Sequence, residues 1–134
     1  MHKKFWGEVV HGLGNGKDFG FPTANIKLID NTIEIQNGVY AVSVCIHNQT
    51  FKGMLYVGTR PTLQLFEKTI EIHIFDFNGV LYNQQISFNI WHKMRDEITF
   101  TNTNALVEQL HQDKEIVKNY FQNQIFQESS LISC

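Results

Sequence analysis

The sequence contains few cysteines and no long apolar run. Its two cysteines, Cys45 and Cys134, are too few for a disulfide framework and lack metal-ligand spacing, which favours a reducing compartment. No segment approaches the roughly 20 apolar residues that a membrane helix requires. The basic N-terminus is not followed by the apolar stretch of a secretory signal. We therefore expect a soluble cytoplasmic protein without a membrane partner.

An excess of positive charge is also absent. The chain has 11 Lys plus Arg against 13 Asp plus Glu, a net charge of -2, so it offers no electrostatic basis for binding a nucleic acid duplex. Its 134 residues suffice for one compact domain with a real core and are too few for two ordinary domains. We expect a single domain over residues 1–134, acting as a monomer without a nucleic-acid partner.

Two families of catalytic signature are missing as well. The histidines do not fall at ligand spacing with one another or with cysteine, which argues against a zinc site. No G-x-S-x-G motif, Cys/His pair or close carboxylate dyad supports hydrolytic chemistry.

Most of the chain has the composition of β-strands, with short β-branched and aromatic runs broken by Gly, Asn and Asp. Candidate strands are 5–11, 33–35 with 38–46, 49–57, 69–75 and 84–93, with tight turns at His47-Asn48 and Asn78-Gly79. Five or more short strands without intervening helices predict a mainly β fold, namely an antiparallel barrel over about residues 5–100.

The pattern changes after Thr103. Apolar residues recur there every three to four positions, which predicts an amphipathic helix over about 104–121, with Thr103 or Asn104 as its N-cap. We expect this helix to pack on the barrel and a tail to follow over 122–134.

A glycine-rich loop precedes Lys17. Gly12, Gly14 and Gly16 leave its backbone free to direct N–H groups at phosphate oxygens, and Lys17 can add a positive charge. The loop is neither a Walker A motif nor a dinucleotide fingerprint, since the required Gly, Ser or Thr residues do not fall in place. A sharply turning hairpin loop is an equally good interpretation of the glycines alone.

The segment Gly-Phe-Pro-Thr-Ala-Asn at 20–25 follows shortly afterwards. Pro22 fixes the backbone, so Thr23 and Asn25 present a hydroxyl and an amide oxygen in a defined direction. Both are hard donors suited to Mg²⁺ and phosphate. An ordinary Asx or Ser/Thr turn is the alternative.

Two further charged residues could take part in chemistry. Glu71 alternates with Ile70 and Ile72, and a carboxylate at the mouth of a barrel could accept a proton from an attacking alcohol. By pattern alone, a solvated face carrying Glu71 and His73 is the preferred interpretation. Arg95 stands beside residues that could contact a planar ligand, or it could pair with Asp96 or Glu97.

Seven blocks of sequence together resemble the riboflavin kinase family, whose domain also forms the C-terminal half of bacterial riboflavin kinase/FAD synthetases. The resemblance runs from about residue 6 to 121. The blocks are GEVVHG at 7–12, GFPTANI at 20–26, GVYA at 38–41, VGTRPT at 57–62, EIHIFDF at 71–77, LY at 81–82 and MRDEITF at 94–100.

The resemblance implies a six-stranded Greek-key barrel with a C-terminal helix and an ATP:riboflavin 5′-phosphotransferase that produces FMN and ADP. ATP is then the co-substrate and Mg²⁺ the metal, with Zn²⁺ or Mn²⁺ as alternative ions. It implies Glu71 as the general base and Thr23 and Asn25 as ligands of metal and phosphate. The remaining roles are nucleotide binding by Gly12, Gly14, Gly16 and Lys17, and flavin binding by Arg95, Glu97 and Phe100.

The chain departs from the family pattern at two places. Tyr56 replaces the Asn of an Asn-Ile-Gly motif, which we expect to change packing or polarity near the nucleotide, and Asn83 replaces a Gly, which we expect to reshape a turn. The resemblance also implies that FAD formation needs an adenylyltransferase domain or a separate FAD synthetase. Two alternatives stay open: a non-catalytic barrel that binds flavin or nucleotide, and a barrel that binds single-stranded nucleic acid.

Overall fold

The computed structural model describes residues 3–11, 21–61 and 66–124. Six antiparallel strands form a closed barrel in the order β1-β2-β5-β4-β3-β6, and one helix follows. The elements are β1 Lys4–Val10, β2 Ala24–Leu28, β3 Gly38–Ile46, β4 Gln49–Pro61, β5 Phe66–Ile74, β6 Gln85–Arg95 and α1 Thr103–Gln122. The predicted mainly β fold, a six-stranded barrel with a C-terminal helix, is confirmed.

Apolar side chains pack on both surfaces of the barrel wall. One cluster fills the interior and includes Val42, Leu55 and Phe88. A second cluster lies on the outer wall, where Met54 packs beneath α1 residues such as Val117. Strand β3 is buried along almost its whole length because it faces the interior on one side and α1 on the other. The helix therefore covers part of the outer wall.

The strand predictions were wrong in three places. Strand β2 was not predicted, because it is only five residues long and Ile26 is its one buried residue. Residues 33–35 are not a strand, although Ile35 is buried. The preceding turn is held by Asp30, whose Oδ1 accepts hydrogen bonds from the Thr32 backbone and hydroxyl. The β4–β5 hairpin also extends beyond the predicted ends, to Pro61 and from Phe66.

The ends of the elements depend on residues that tolerate unusual backbone conformations. The His47-Asn48 turn is confirmed, and both residues have positive φ. The Asn78-Gly79 tight turn is wrong: these residues lie within a longer β5–β6 connection that bends at Asp76, where φ is 59°. The helix N-cap is Asn102, whose Oδ1 accepts from the Ala105 backbone at 2.8 Å, because its extended backbone turns that oxygen onto the first helical turn. No helix in the described residues is long and apolar enough to cross a membrane.

Candidate active site

A row of side chains crosses five strands on the outer wall of the barrel. Asn25 on β2 is directly opposite Glu71 on β5, and Glu71 is directly opposite Tyr56 on β4. The row continues through Val39 to Arg95. Directly opposite residues share a face of a sheet. Their sequence neighbours, such as Ile72 and Leu55, belong to the interior cluster. Glu71 therefore lies on the outer wall and not at the barrel mouth, which corrects the sequence-based expectation.

Strand β5 holds the segment that precedes β2 through two hydrogen bonds. The Thr23 hydroxyl donates to Glu71 Oε1 at 2.8 Å, and His73 Nδ1 donates to the Pro22 carbonyl at 2.8 Å. His73 is buried and meets the Phe21 ring edge to face. Because Glu71 is half-buried and His73 buried, the interpretation of this strand face as solvated was wrong. Pro22, Thr23 and Glu71 form one connected unit.

Burial determines the ionisation of His73. Desolvation, the largest effect, lowers its pKa, and the nearby Lys114 and Lys118 act in the same direction. The hydrogen bond to the Pro22 carbonyl opposes this shift. A neutral imidazole with its proton on Nδ1 fits this environment and keeps the Pro22 carbonyl fixed.

A cavity of about 460 Å³ opens beside this row, between the barrel wall and the start of α1. Apolar residues of α1, Leu106 and Leu110, form one side of the cavity. The predicted flavin-binding residues and the predicted base line the same cavity as Thr23, namely Arg95, Glu97, Phe100 and Glu71. The fold therefore brings together residues that are separated by more than half of the sequence.

Arg95 is fixed by a carboxylate that the sequence reasoning missed. Its Nε and Nη2 donate to Asp113 Oδ1 and Oδ2 at 2.8 and 2.7 Å. The expected pairing with Asp96 or Glu97 is wrong: Asp96 pairs with Lys93 at 2.6 Å, and Arg95 contacts only the Asp96 backbone carbonyl. Asp113 lies three residues after Leu110, on the apolar stripe of α1, and this position was the signal that could have revealed it.

Tyr56 joins the same polar cluster. Its hydroxyl donates to Asp113 Oδ2 at 3.4 Å, and its ring lines the cavity beside Glu71. Burial, followed by the charge of Asp113, raises the pKa of Tyr56. The hydroxyl therefore stays protonated and remains a donor. Tyr56 lines the cavity that contains the predicted flavin-binding residues Arg95, Glu97 and Phe100.

Glu97 connects the segment after β6 to the end of β4. Its Oε1 accepts from the Asn37 amide at 3.1 Å, and its Oε2 accepts from the Thr59 backbone at 3.4 Å. The absence of a side chain at Gly58 makes room for this carboxylate, since a Cβ there would lie 2.5 Å from Oε2. Glu97 therefore ties the segment after β6 to Asn37 and to the end of β4 beside the cavity.

A second cavity, of about 380 Å³, adjoins the first. Thr23 lines both cavities, while Asn25 and Tyr82 line the second one. The Tyr82 ring stacks on His11, the last described residue before the glycine-rich loop, with ring centroids 3.8 Å apart. The predicted nucleotide-binding residues of that loop, Gly12, Gly14, Gly16 and Lys17, lie outside the described residues.

The oxygen donors at the junction fit a hard divalent cation. The described part of the chain has no group of three His, Cys, Asp or Glu residues that could hold a metal alone. The Thr23 hydroxyl uses its proton toward Glu71, so its lone pairs remain for a cation. Mg²⁺ commonly takes few protein ligands and completes its shell with phosphate oxygens and water, which suits Thr23 and Asn25.

Comparison with known proteins agrees with this architecture. The bifunctional riboflavin kinase/FMN adenylyltransferase of Buchnera aphidicola is 42% identical over 118 residues, which cover 86% of this chain and 38% of that protein. The protein of the same description from Haemophilus influenzae is 38% identical, with 88% and 38% covered. The chain thus spans under two fifths of the length of these relatives. The crystal structure of riboflavin kinase from Trypanosoma brucei shares the fold, with a TM-score of 0.66 at 23% identity over 93% of this chain and 83% of that one.

The family assignment rests on a match over most of the chain. Residues 2–121 match the family described as "Flavokinase: Riboflavin kinase". The chain belongs to the riboflavin kinase family.

Proposed function

We propose that this chain transfers the γ-phosphoryl group of ATP to the ribityl 5′-hydroxyl of riboflavin, giving FMN and ADP. One observation carries the proposal within this family: Thr23 lines two cavities, and Glu71, which lines the first of them, is hydrogen-bonded to Thr23. A phosphotransferase needs two substrates whose reacting ends meet beside a base. Thr23 and Glu71 suit this arrangement.

The two cavities differ in the substrate that each suits. The first combines the apolar surface of Leu106 and Leu110 with the guanidinium of Arg95, which fits a planar ring system that carries carbonyl groups. The second lies against the oxygen donors of Thr23 and Asn25, which fits nucleotide phosphates. We assign the flavin to the first cavity and the nucleotide to the second, with the glycine-rich loop as the cover of the phosphates.

Glu71 is the proposed general base. As the 5′-oxygen of riboflavin attacks the γ-phosphorus, Glu71 accepts the hydroxyl proton, a new O–P bond forms, and the bond from phosphorus to the β–γ bridging oxygen breaks to release ADP. The Thr23 hydroxyl holds Oε1, so Oε2 is the proposed proton acceptor. Thr23 thereby orients the base as well as facing the nucleotide.

Thr23 and Asn25 are the proposed protein ligands of the metal, with Zn²⁺ or Mn²⁺ as alternatives to Mg²⁺. The bound metal supplies positive charge that offsets the charge on the phosphate oxygens. The side chains themselves do not change ionisation in the reaction; they orient the terminal phosphate toward the first cavity.

Replacing Glu71 tests the proposal. Purified protein is incubated with riboflavin, ATP and Mg²⁺, and riboflavin and FMN are separated by chromatography. We expect Glu71→Gln to bind both substrates and to lose about 10²–10⁴-fold in kcat, the usual contribution of a general base. Glu67→Gln, an exposed carboxylate on the same strand, is the matched control and should retain activity.

The outcomes separate the alternatives. FMN formation by the wild-type chain that persists unchanged in Glu71→Gln would refute the role of Glu71 while leaving the activity intact. Absence of FMN from the wild type, together with saturable flavin binding, would indicate a non-catalytic binding barrel.

A further inference from the structure

We propose that Asp113, on the helix outside the barrel, is a positioning residue for flavin binding that acts by fixing Arg95 and Tyr56 in the wall of the first cavity. This inference rests on the proposed function, because it takes the first cavity to be the flavin site. Asp113 does not line the cavity itself and acts through Arg95 and Tyr56, which do.

The ion pair between Asp113 and Arg95 has the geometry of a rigid fork. Two N–H groups of Arg95 donate to the two oxygens of one carboxylate, at 2.8 and 2.7 Å. The Asp113 side chain is 2% exposed and that of Arg95 is 18% exposed, so solvent competes little with the pair. The Gln109 amide donates to Asp113 Oδ1 at 3.0 Å and supports it from the same helix.

Arg95 lines the cavity, and the fork leaves two of its N–H groups without a partner among the described residues. Three N–H groups are used, two by Asp113 and one by the Asp96 carbonyl at 3.0 Å. A guanidinium has five donors, so two remain for a ligand. Because the planar group is held along one edge, the direction of those two donors is set by Asp113.

The same carboxylate also contacts a second residue of the outer row. Tyr56 donates to Asp113 Oδ2 at 3.4 Å, and its backbone is directly opposite Glu71. Arg95, Tyr56 and the α1 residue Leu110 all line the cavity. Asp113 therefore connects three elements that line the cavity, namely β6, β4 and α1.

A purely structural role explains the carboxylate poorly. Asp113 occupies the buried stripe of α1 between Leu110 and Val117, where an apolar side chain would pack without the cost of burying a charge. Buried ion pairs are often no more stabilising than apolar residues of similar volume. Placing the charge here makes sense if the orientation of Arg95 matters to the ligand.

The test is the Asp113→Asn variant in the complete chain, with Glu108→Gln as the control on the exposed side of the same helix. The dissociation constant of riboflavin is measured by quenching of flavin fluorescence, and KM is measured for riboflavin and ATP separately. We expect the riboflavin values to rise roughly tenfold or more, as for loss of one partner of a buried charge pair. The KM for ATP should stay within about twofold, since Asp113 does not reach the second cavity.

A second variant keeps the inference testable if Asp113→Asn does not fold. Arg95→Lys preserves the paired charge and removes the fork. It should also raise the riboflavin KM and leave the KM for ATP unchanged. In the double variant with Arg95→Met, Asp113→Asn should add little to the loss of riboflavin affinity, because both changes remove the same oriented guanidinium.

Two outcomes would overturn the inference. Unchanged riboflavin affinity in folded Asp113→Asn or in Arg95→Lys would show that the fork does not direct binding. Equal increases in both KM values with a lower melting temperature would indicate a structural role only. Failure of the wild type to form FMN would refute the proposed function instead. FMN formation by the wild type is therefore measured first, with the same preparations.

Discussion

The hydrogen bond between Thr23 and Glu71 offers a sharp test of how the base is oriented. Thr23→Val keeps the shape of the side chain and removes the hydroxyl that donates to Glu71 Oε1 at 2.8 Å. A hydrogen bond to a charged group contributes about 1.5–3 kcal/mol. If that contribution is expressed in the transition state, the rate falls by roughly 10- to 150-fold at 1.36 kcal/mol per factor of ten. Loss of a metal ligand would act in the same direction.

The matched variant is Thr23→Ser, which keeps the hydroxyl and loses only a methyl group. We expect Thr23→Ser to retain most of the wild-type kcat. Thr23→Val should lose most of the wild-type kcat, with little change in the riboflavin KM. Turnover is measured as the rate of FMN formation at saturating riboflavin and ATP, and folding is checked by thermal unfolding. Wild-type turnover in Thr23→Val, or an equal loss in Thr23→Ser, would contradict the assigned role of the hydroxyl.

Two further predictions concern stability. Gly53→Ala places a Cβ 2.6 Å from the backbone carbonyl oxygen of His73, which cannot move freely, so urea unfolding should show a loss of about 1–3 kcal/mol. Gly58→Ala meets the end of the Glu97 side chain and no backbone atom, so it should lose less; equal losses would contradict this reasoning. Burial lowers the pKa of His73 in the folded protein, so the unfolded chain binds a proton at His73 more readily. The stability that neutral His73 contributes is therefore complete above about pH 6.5 and declines as the pH falls below that value. His73→Gln should show a shallower decline, and an unchanged slope would contradict this reasoning.

Much of the barrel could be predicted from the local sequence pattern, and the errors in the strand predictions have local causes. Strand β5 carries a period-two signal in Ile70, Ile72 and Ile74, and β3 is recognisable as a long run of β-branched and aromatic residues. Strand β2 does not, because five residues with one buried side chain give too little alternation to recognise. The left-handed backbone at Asn83, with φ 67°, shows why the departure from glycine there is tolerated: Asn is among the few side chains that adopt this conformation readily.

The candidate site was only partly accessible from sequence. Thr23 and Asn25 were proposed from the Pro22 turn, and the family resemblance added the role of Glu71, whereas pattern alone favoured a solvated face for Glu71. The period of two shows which residues share a face but not what covers that face. Here residues 21–23 contact that face and α1 packs on the neighbouring strands, and this long-range packing is also why Asp113 and its pairing with Arg95 were missed.

The position of the site on the outer wall has a consequence for the role of the helix. The first cavity lies against the outer surface of the barrel, because Tyr56, Glu71 and Arg95, which line it, belong to the outer row. The strands supply the polar row on one side, and α1 supplies Leu106 and Leu110 on the other. A buried carboxylate on that helix then holds the arginine of the opposite wall. The helix is therefore part of the proposed binding site, and any change that shifts it against β6 should affect riboflavin before it affects the nucleotide.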